Sequence, residues 1–187
     1  TKASMGIYIF TWEKLRKYLI EDENDKNSEN DFGKNIIPKM LADGQRMYAY
    51  QFDGYWKDVG TISSLWEANM DVLKGDEFNL DDDKWKIYAR NNAEPPHYVA
   101  PTGNVINCLV SEGTVINGTV KNSIVSNSVK IGKDAYIEES VIMPGAVIED
   151  GADVRYSIVG WNAVVGKNSM VGETLEQHCL VTFQNAQ

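Results

Sequence analysis

Val125 to Val141 reads VSNSVKIGKDAYIEESV, Ile142 to Ile158 reads IMPGAVIEDGADVRYSI, and Val159 to Leu175 reads VGWNAVVGKNSMVGETL. Stacked, the three lines share a branched aliphatic at Val125, Ile142 and Val159, then at Ile131, Ile148 and Val165, then at Ile137, Val154 and Val171. The steps run six, six and five residues, a full period of seventeen. A shorter unit, VSEGTVINGTVKNSI from Val110 to Ile124, precedes them. Three short segments per unit, each opened by an aliphatic and often turned by Gly, Asn or Asp, describe a triangular prism, a parallel β-helix with one aliphatic pointing inward from each face. Small residues at Ser128, Ala135, Ala146, Ala152 and Ala163 are expected where the interior tapers. Coils stack at strand spacing, so four of them from Val110 to Val171 make a stub roughly 15 Å long. The repeat does not fix its handedness; the general crossover rule favours a right-handed coil. A short solenoid leaves its end coils open, and Leu175 to Gln187, with Leu180, Val181 and Phe183, is the expected cap, a second subunit being the other solution.

The N-terminal half has other periods. Gly6 to Phe10 (GIYIF) predicts a short buried strand. Thr11 is placed to cap a helix whose Trp12, Leu15, Tyr18 and Leu19 share a face. Glu21 to Asn30 is almost wholly polar and predicts a solvated loop; it lacks the glycine and terminal glutamate of a calcium loop. Asp31 should cap a second helix reaching Leu41, with Gly44 as its stop and Pro38 kinking it or moving its start. Arg46 to Phe52 alternates like a strand. Thr61 opens a third helix with Ile62, Leu65, Trp66, Met70 and Leu73 on one stripe, and Asn69 near the edge of that buried face. From Lys74 to Gly103 no period persists, and Pro95, Pro96 and Pro101 predict a connector.

Composition excludes some classes. Of 187 residues, 27 are acidic and 18 basic, a formal charge of −9, and no basic stripe exists to displace phosphate counterions, so a nucleic-acid partner is not expected. No apolar run is long enough to span a membrane. Cys108 and Cys179 make no disulfide framework and predict reduced structural thiols in a cytoplasmic protein. Two histidines, His97 and His178, cannot make a three-histidine metal site. The opening Thr1-Lys2-Ala3-Ser4-Met5-Gly6 carries neither initiator methionine nor signal-peptide pattern, and is expected to lie inside a longer chain.

Several ordered blocks then resemble a family. Ala3-Ser4-Met5-Gly6-Ile7-Tyr8-Ile9-Phe10, Asp31-Phe32-Gly33-Lys34, Ile37-Pro38 and Gly54-Tyr55-Trp56-Lys57-Asp58-Val59-Gly60-Thr61 look like consecutive blocks of bacterial glucose-1-phosphate adenylyltransferases. Trp85 to Asn91 and the repeats fit as well, so the resemblance covers nearly the whole chain. It implies an α+β then β architecture: residues 1–74 as the C-terminal remnant of an α/β nucleotidyltransferase domain, 75–103 as connector, and 104–187 as a left-handed parallel β-helix of hexapeptide-like repeats. The family's glycine-rich ATP loop and its Glu-Lys-Pro block are not among these residues. The implied activity is formation of ADP-glucose and pyrophosphate from ATP and glucose 1-phosphate, for glycogen synthesis, with Mg2+ as cofactor, in a cytoplasmic homo-oligomer, usually a tetramer. This chain alone is expected to be inactive.

By matching motif, Ser4 takes the place of a serine that contacts glucose 1-phosphate. Asp58 takes that of an acidic residue beside the sugar phosphate and the magnesium, a hard-oxygen ligand of the expected kind. Trp56 either lines the sugar pocket or belongs to a core. Asp31-Phe32-Gly33 has a kinase-like spelling, but capping accounts better for Asp31. Three rivals stand beside this reading, one of them a related pyrophosphorylase using another nucleotide, which the match at Gly54 to Thr61 weakens. A hexapeptide-repeat acyltransferase needs a general base on its prism, usually histidine, and none lies between Val110 and Leu175. A non-catalytic regulatory paralogue would differ in residues outside this chain. Trp161, in a corner position where Asn127 and Pro144 stand in other coils, is the expected interface anchor.

Overall fold

The computed structural model describes residues 3–75, 80, 82–89 and 93–172, with the backbone of 179–181. They fall into two compact units, Thr1–Trp56 and Lys57–Gln187.

In the first unit, helix α1 (Trp12–Glu23) begins after Thr11, which has extended backbone angles but makes no side-chain cap; its carbonyl accepts from Lys14 and Leu15 instead. The helix runs three residues into the stretch expected to be loop, because Asp22 is buried and accepts a hydrogen bond from Ser28 Oγ at 2.7 Å. Asp31 caps the next element as expected, Oδ1 accepting from the Lys34 amide at 2.8 Å. That element starts as a π turn, Phe32–Ile36, and continues as α2 (Ile37–Ala42). Pro38 explains the change: with no N–H to give, it sits in the first turn of α2, where none is needed. Gly44, at φ +67°, ends α2. Tyr18, Ile36 and Met40 form a small core with Phe10, Leu15, Leu19 and Met47 around them. Trp12 lies outside it, 63% exposed, although its spacing put it on the buried stripe.

Neither expected strand of this unit forms. Gly6–Phe10 and Arg46–Phe52 carry no ladder among the described residues, and Ile9 is 99% and Tyr48 90% exposed. Strand propensity is only a fit to a half-buried pleated surface, and here no neighbouring strand supplies one.

In the second unit, α3 (Ile62–Lys74) opens on a complete capping box: the Ser64 amide donates to Thr61 Oγ1, and the Thr61 amide to Ser64 Oγ. Gly75, at φ +71°, closes it. The prism follows. Its first coil is β1 (Tyr98–Val99), β2 (Asn104–Ile106) and β3 (Leu109–Val110). The second is β4 (Val115–Ile116), β5 (Thr119–Lys121) and β6 (Ile124–Val125). The third is β7 (Lys130–Ile131), β8 (Tyr136–Glu138) and β9 (Val141–Ile142). The fourth is β10 (Val147–Ile148), β11 (Asp153–Arg155) and β12 (Ser157–Val159). Last come β13 (Val164–Val165), β14 (Met170–Val171) and β15 (Cys179–Val181). Every pairing is parallel, and each face is a five-stranded sheet with its strands in coil order. The solenoid therefore starts at Tyr98, twelve residues before the first repeat read from the sequence, inside the expected connector. Val99, Val105 and Val110 already stand at steps of six and five. Of the expected cap, Leu180 and Val181 belong to β15, which pairs with β12; Leu175 and Phe183 lie outside the described residues.

The interior is a stack of aliphatics. Ile116, Val120, Val125, Ile131, Ile137, Ile142, Ile148, Val154, Val159 and Val165 are all at or below 3% exposure. Ala135, Ala146, Ala152 and Ala163 fill the tapered positions as expected. Ser128 does not: it turns a corner at φ +59°, and Val129 fills the interior beside it. Each corner keeps one residue per coil in left-handed backbone, as at Ser128, Gly145 and Asn162, at Asp134, Gly151 and Asn168, and at Asn122, Glu139 and Tyr156. At Gly145 and Gly151 glycine is also a spatial need, since a Cβ would run into the Asn162 or Asn168 side chain of the next coil. The third corner carries a polar column through the wall. Ser123, Ser140 and Ser157 are fully buried; each donates to the carbonyl two residues back, and Ser123 and Ser140 each accept the amide of the next serine, at 3.1 and 3.2 Å. Their buried groups are thereby satisfied without water. Cys108 occupies the same corner in the first coil, donates to the Ile106 carbonyl, and is a free thiol whose pKa burial pushes up. The Cys179 side chain lies outside the described residues.

α3 covers the third face. Trp66 and Met70 pack on Val141 and Ile158, with Leu65 and Leu73 at the margin, and Trp66 Nε1 donates to the Glu139 carbonyl at 2.7 Å. Asn69 lies half-buried at the edge of that face, its amide donating to the Leu65 carbonyl. Ile62 lies outside it, 42% exposed.

Candidate active site

Ser4 lies on the exposed surface of the first unit. The chain reverses at Gly6, at φ +72°, so the Gly6 amide donates to Ser4 Oγ at 3.2 Å, and the hydroxyls of Ser4 and Tyr8 share a hydrogen bond of 2.9 Å. Tyr8, Phe10 and Phe32 form an aromatic group behind it, each pair of ring centres 5.8 Å apart. A serine held this way keeps one hydrogen-bonding position for a sugar hydroxyl, a donor or an acceptor according to which way the bond with Tyr8 runs. Trp56 keeps 45% of its surface and joins none of the buried apolar clusters of the described residues, so its indole face is available to a ligand.

Asp58 belongs to the second unit, in the turn leading into α3. Its Oδ1 accepts the Gly60 amide at 3.0 Å, and Oδ2 has no protein partner among the described residues. That turn is tied to the helix by the residue just before. Lys57 Nζ lies 2.9 Å from Glu67 Oε2 and 3.1 Å from Asp71 Oδ2; Lys74 Nζ reaches the other Asp71 oxygen at 2.7 Å. The Glu67 hydrogen bond, opposed by burial and aided by Asp71, raises the Lys57 pKa, so the ammonium stays charged throughout the physiological range. Sequence reasoning missed this network. Its only trace there is the spacing of Glu67 and Asp71, one helical turn apart, which does not say what faces them.

Among the described residues no group of three or more His, Cys, Asp or Glu could hold a metal by itself. A magnesium that bridges substrate phosphates asks for less: one or two carboxylates, the phosphates and water. Asp58, exposed and with one oxygen outside its turn, fits that donor set. Away from these residues, an open groove of about 540 Å³ runs along the first face of the prism, lined by Val115, Asn117, Lys130, Val147, Glu149 and Lys167 among others, with no nucleophile–base pair in it. No helix among the described residues is long and apolar enough to cross a membrane.

Two family models match the chain, a nucleotidyl transferase over residues 1–75 and a GlmU-like C-terminal hexapeptide domain over residues 97–185. The chain is 55% identical to a glucose-1-phosphate adenylyltransferase of Clostridium kluyveri over 177 residues, 94% of this chain and 46% of the relative. It is 53% identical to that of Clostridium beijerinckii over 170 residues, 90% of the chain and 44% of the relative. With that of Acetivibrio thermocellus the identity is 48% over 171 residues, 91% of the chain and 40% of the relative. The chain thus spans less than half the length of these relatives.

Proposed function

We propose, from a chain homologous over nine-tenths of its length to glucose-1-phosphate adenylyltransferases, that these residues form the sugar-side end and the β-helix of an enzyme that makes ADP-glucose. What carries the reading is that one chain joins a nucleotidyl transferase segment to a hexapeptide prism in the same order as relatives about 50% identical across both parts. In this reading residues 1–74 close the catalytic domain and 75–97 connect it to a left-handed β-helix that begins at Tyr98. The cytoplasm is its compartment, and ADP-glucose for glycogen its product.

The reaction is attack of a glucose 1-phosphate oxygen on the α-phosphorus of ATP. The new P–O bond forms as the bond to the β-phosphate oxygen breaks, and pyrophosphate leaves. Most of the catalysis is alignment and neutralisation of charge. Ser4 would bind the sugar phosphate through its hydroxyl, and Trp56 would wall the sugar. Asp58 would hold Mg2+ through the free Oδ2, its turn bond to Gly60 fixing the carboxylate in place. Magnesium, when bound, supplies charge neutralisation on the phosphates. The exposed Ile7, Ile9, Tyr48 and Tyr50 suit strands that take their neighbours from the rest of such an enzyme's sheet.

The test is pyrophosphate release from ATP and glucose 1-phosphate. The full-length enzyme should turn over. A polypeptide of these 187 residues, which contains no glycine-rich phosphate loop, should read background. Turnover by the short polypeptide above a mock preparation would reject this division of labour.

The enzyme is further proposed to be a homo-oligomer, a tetramer in its complete form. Trp161 is 66% exposed at a corner of the prism, and Val164 (56%) and Met170 (72%) lie nearby in sequence on the last coil. Sedimentation at tens of micromolar should give at least a dimer of the 21.0 kDa chain, and Trp161→Ser should weaken it. A monomer rejects the association; an oligomer indifferent to Trp161→Ser rejects the anchor alone.

A further inference from the structure

We infer that Lys57 is a positioning residue that makes the placement of the Asp58 carboxylate depend on the β-helix. The inference rests on the sugar-site reading above. The five residues Lys57 to Thr61 are fastened to α3 at both ends. At one end Lys57 Nζ bridges Glu67 and Asp71 in the body of the helix. At the other Thr61 is the helix cap, locked by the reciprocal bonds with Ser64. Between them lies only the Asp58 turn, closed by the Gly60 amide.

α3 is itself fixed. Trp66 and Met70 are buried against Val141 and Ile158 of the third face, and the Trp66 indole is bonded to the Glu139 carbonyl at a left-handed corner. The chain of support runs from prism wall to helix, from helix to Lys57, and from Lys57 to the neighbouring Asp58.

The ion pair suits this task better than an ordinary surface pair. The Asp71 side chain is only 9% exposed and that of Lys57 26%, so solvent screens the contact less than it would a pair on open surface. Removing Lys57 leaves Asp71 with Lys74 and takes the strap off the turn. A carboxylate displaced by about an ångström would no longer hold magnesium where the reacting phosphates need it, a fault that costs one to two orders of magnitude in transfer reactions.

Two readouts test this. In the 187-residue chain, the Gly60 amide should have an order parameter near that of rigid backbone, roughly 0.85, and Lys57→Met should lower it to about 0.6 or less, with Val120, Ile137 and Val154 unchanged. In the full-length enzyme, Lys57→Met should lower kcat roughly tenfold and raise the magnesium concentration for half-maximal rate in parallel, with KM for ATP within about twofold, and Lys57→Arg should recover most of the loss. Glu67→Gln, which removes one arm and leaves Asp71 paired, should shift both readouts less, in the same direction, and serves if Lys57→Met does not fold. An unchanged Gly60 order parameter overturns the inference whatever the activity. A mobile turn with kcat and the magnesium requirement both unchanged also overturns it and leaves the sugar-site reading standing. A full-length wild-type enzyme without turnover overturns that reading, and this role with it.

Discussion

Asp58→Asn in the full-length enzyme is expected to lower kcat by at least about 10²-fold, because it removes one negative oxygen from a step that is mostly stabilisation of charge. The substitution is chosen for what it keeps. An asparagine side chain still offers a carbonyl oxygen to the Gly60 amide, now 3.0 Å from Asp58 Oδ1, so the turn survives and the change falls on charge. The helix cap at Thr61 is made with Ser64 and takes no bond from Asp58, so it should be untouched. The magnesium concentration for half-maximal rate should rise in parallel, since the lost ligand is proposed to be the metal's. Near-normal turnover would make Asp58 a turn residue and nothing more.

Ile137→Ala should destabilise the prism by about 2–5 kcal/mol, read as an earlier urea transition of the far-UV signal, while Ile137→Val should cost about 1 kcal/mol. Ile137 is fully buried in the middle coil, paired with Val120 before it and Val154 after it. Each coil is pinned by parallel ladders to the coils on either side, so the wall cannot collapse into the space left by the missing atoms. The cost should therefore lie in the upper part of that range. An effect below about 1 kcal/mol for Ile137→Ala would mean that the interior is loosely packed, against the near-zero exposure of its neighbours Ile131 and Ile142.

The candidate site was legible only in part. Ser4 and Asp58 are readable from motif matches, and only the structure gives their surroundings: the Gly6 reversal that fixes one hydroxyl, and the Asx-type turn that fixes one carboxylate. Lys57 sat unremarked between two motif residues, because a lysine's partners depend on which way a helix is rolled. In the prism, the serine column is written at Ser123, Ser140 and Ser157, at the same seventeen-residue interval as the aliphatics. Spacing alone could not tell a buried hydrogen-bonded column from a solvent-facing one.

The sequence by itself determined the solenoid, the three helices and the stop of the second at Gly44. These depend on interactions local in the chain: a repeating inward aliphatic, a capping hydroxyl three residues from its amide, a glycine free to take φ +67°. The tertiary structure alone decided where the prism begins, which face α3 covers, and that Gly6–Phe10 and Arg46–Phe52 carry no ladder here despite strand-like spelling. The reason is the same in each case. A strand is stabilised by hydrogen bonds and side chains from a neighbour far away in sequence, so its own residues state a preference and the neighbour grants it. Val99 and Val105 had that neighbour in Ile116 and Val120; Ile9 and Tyr48 did not.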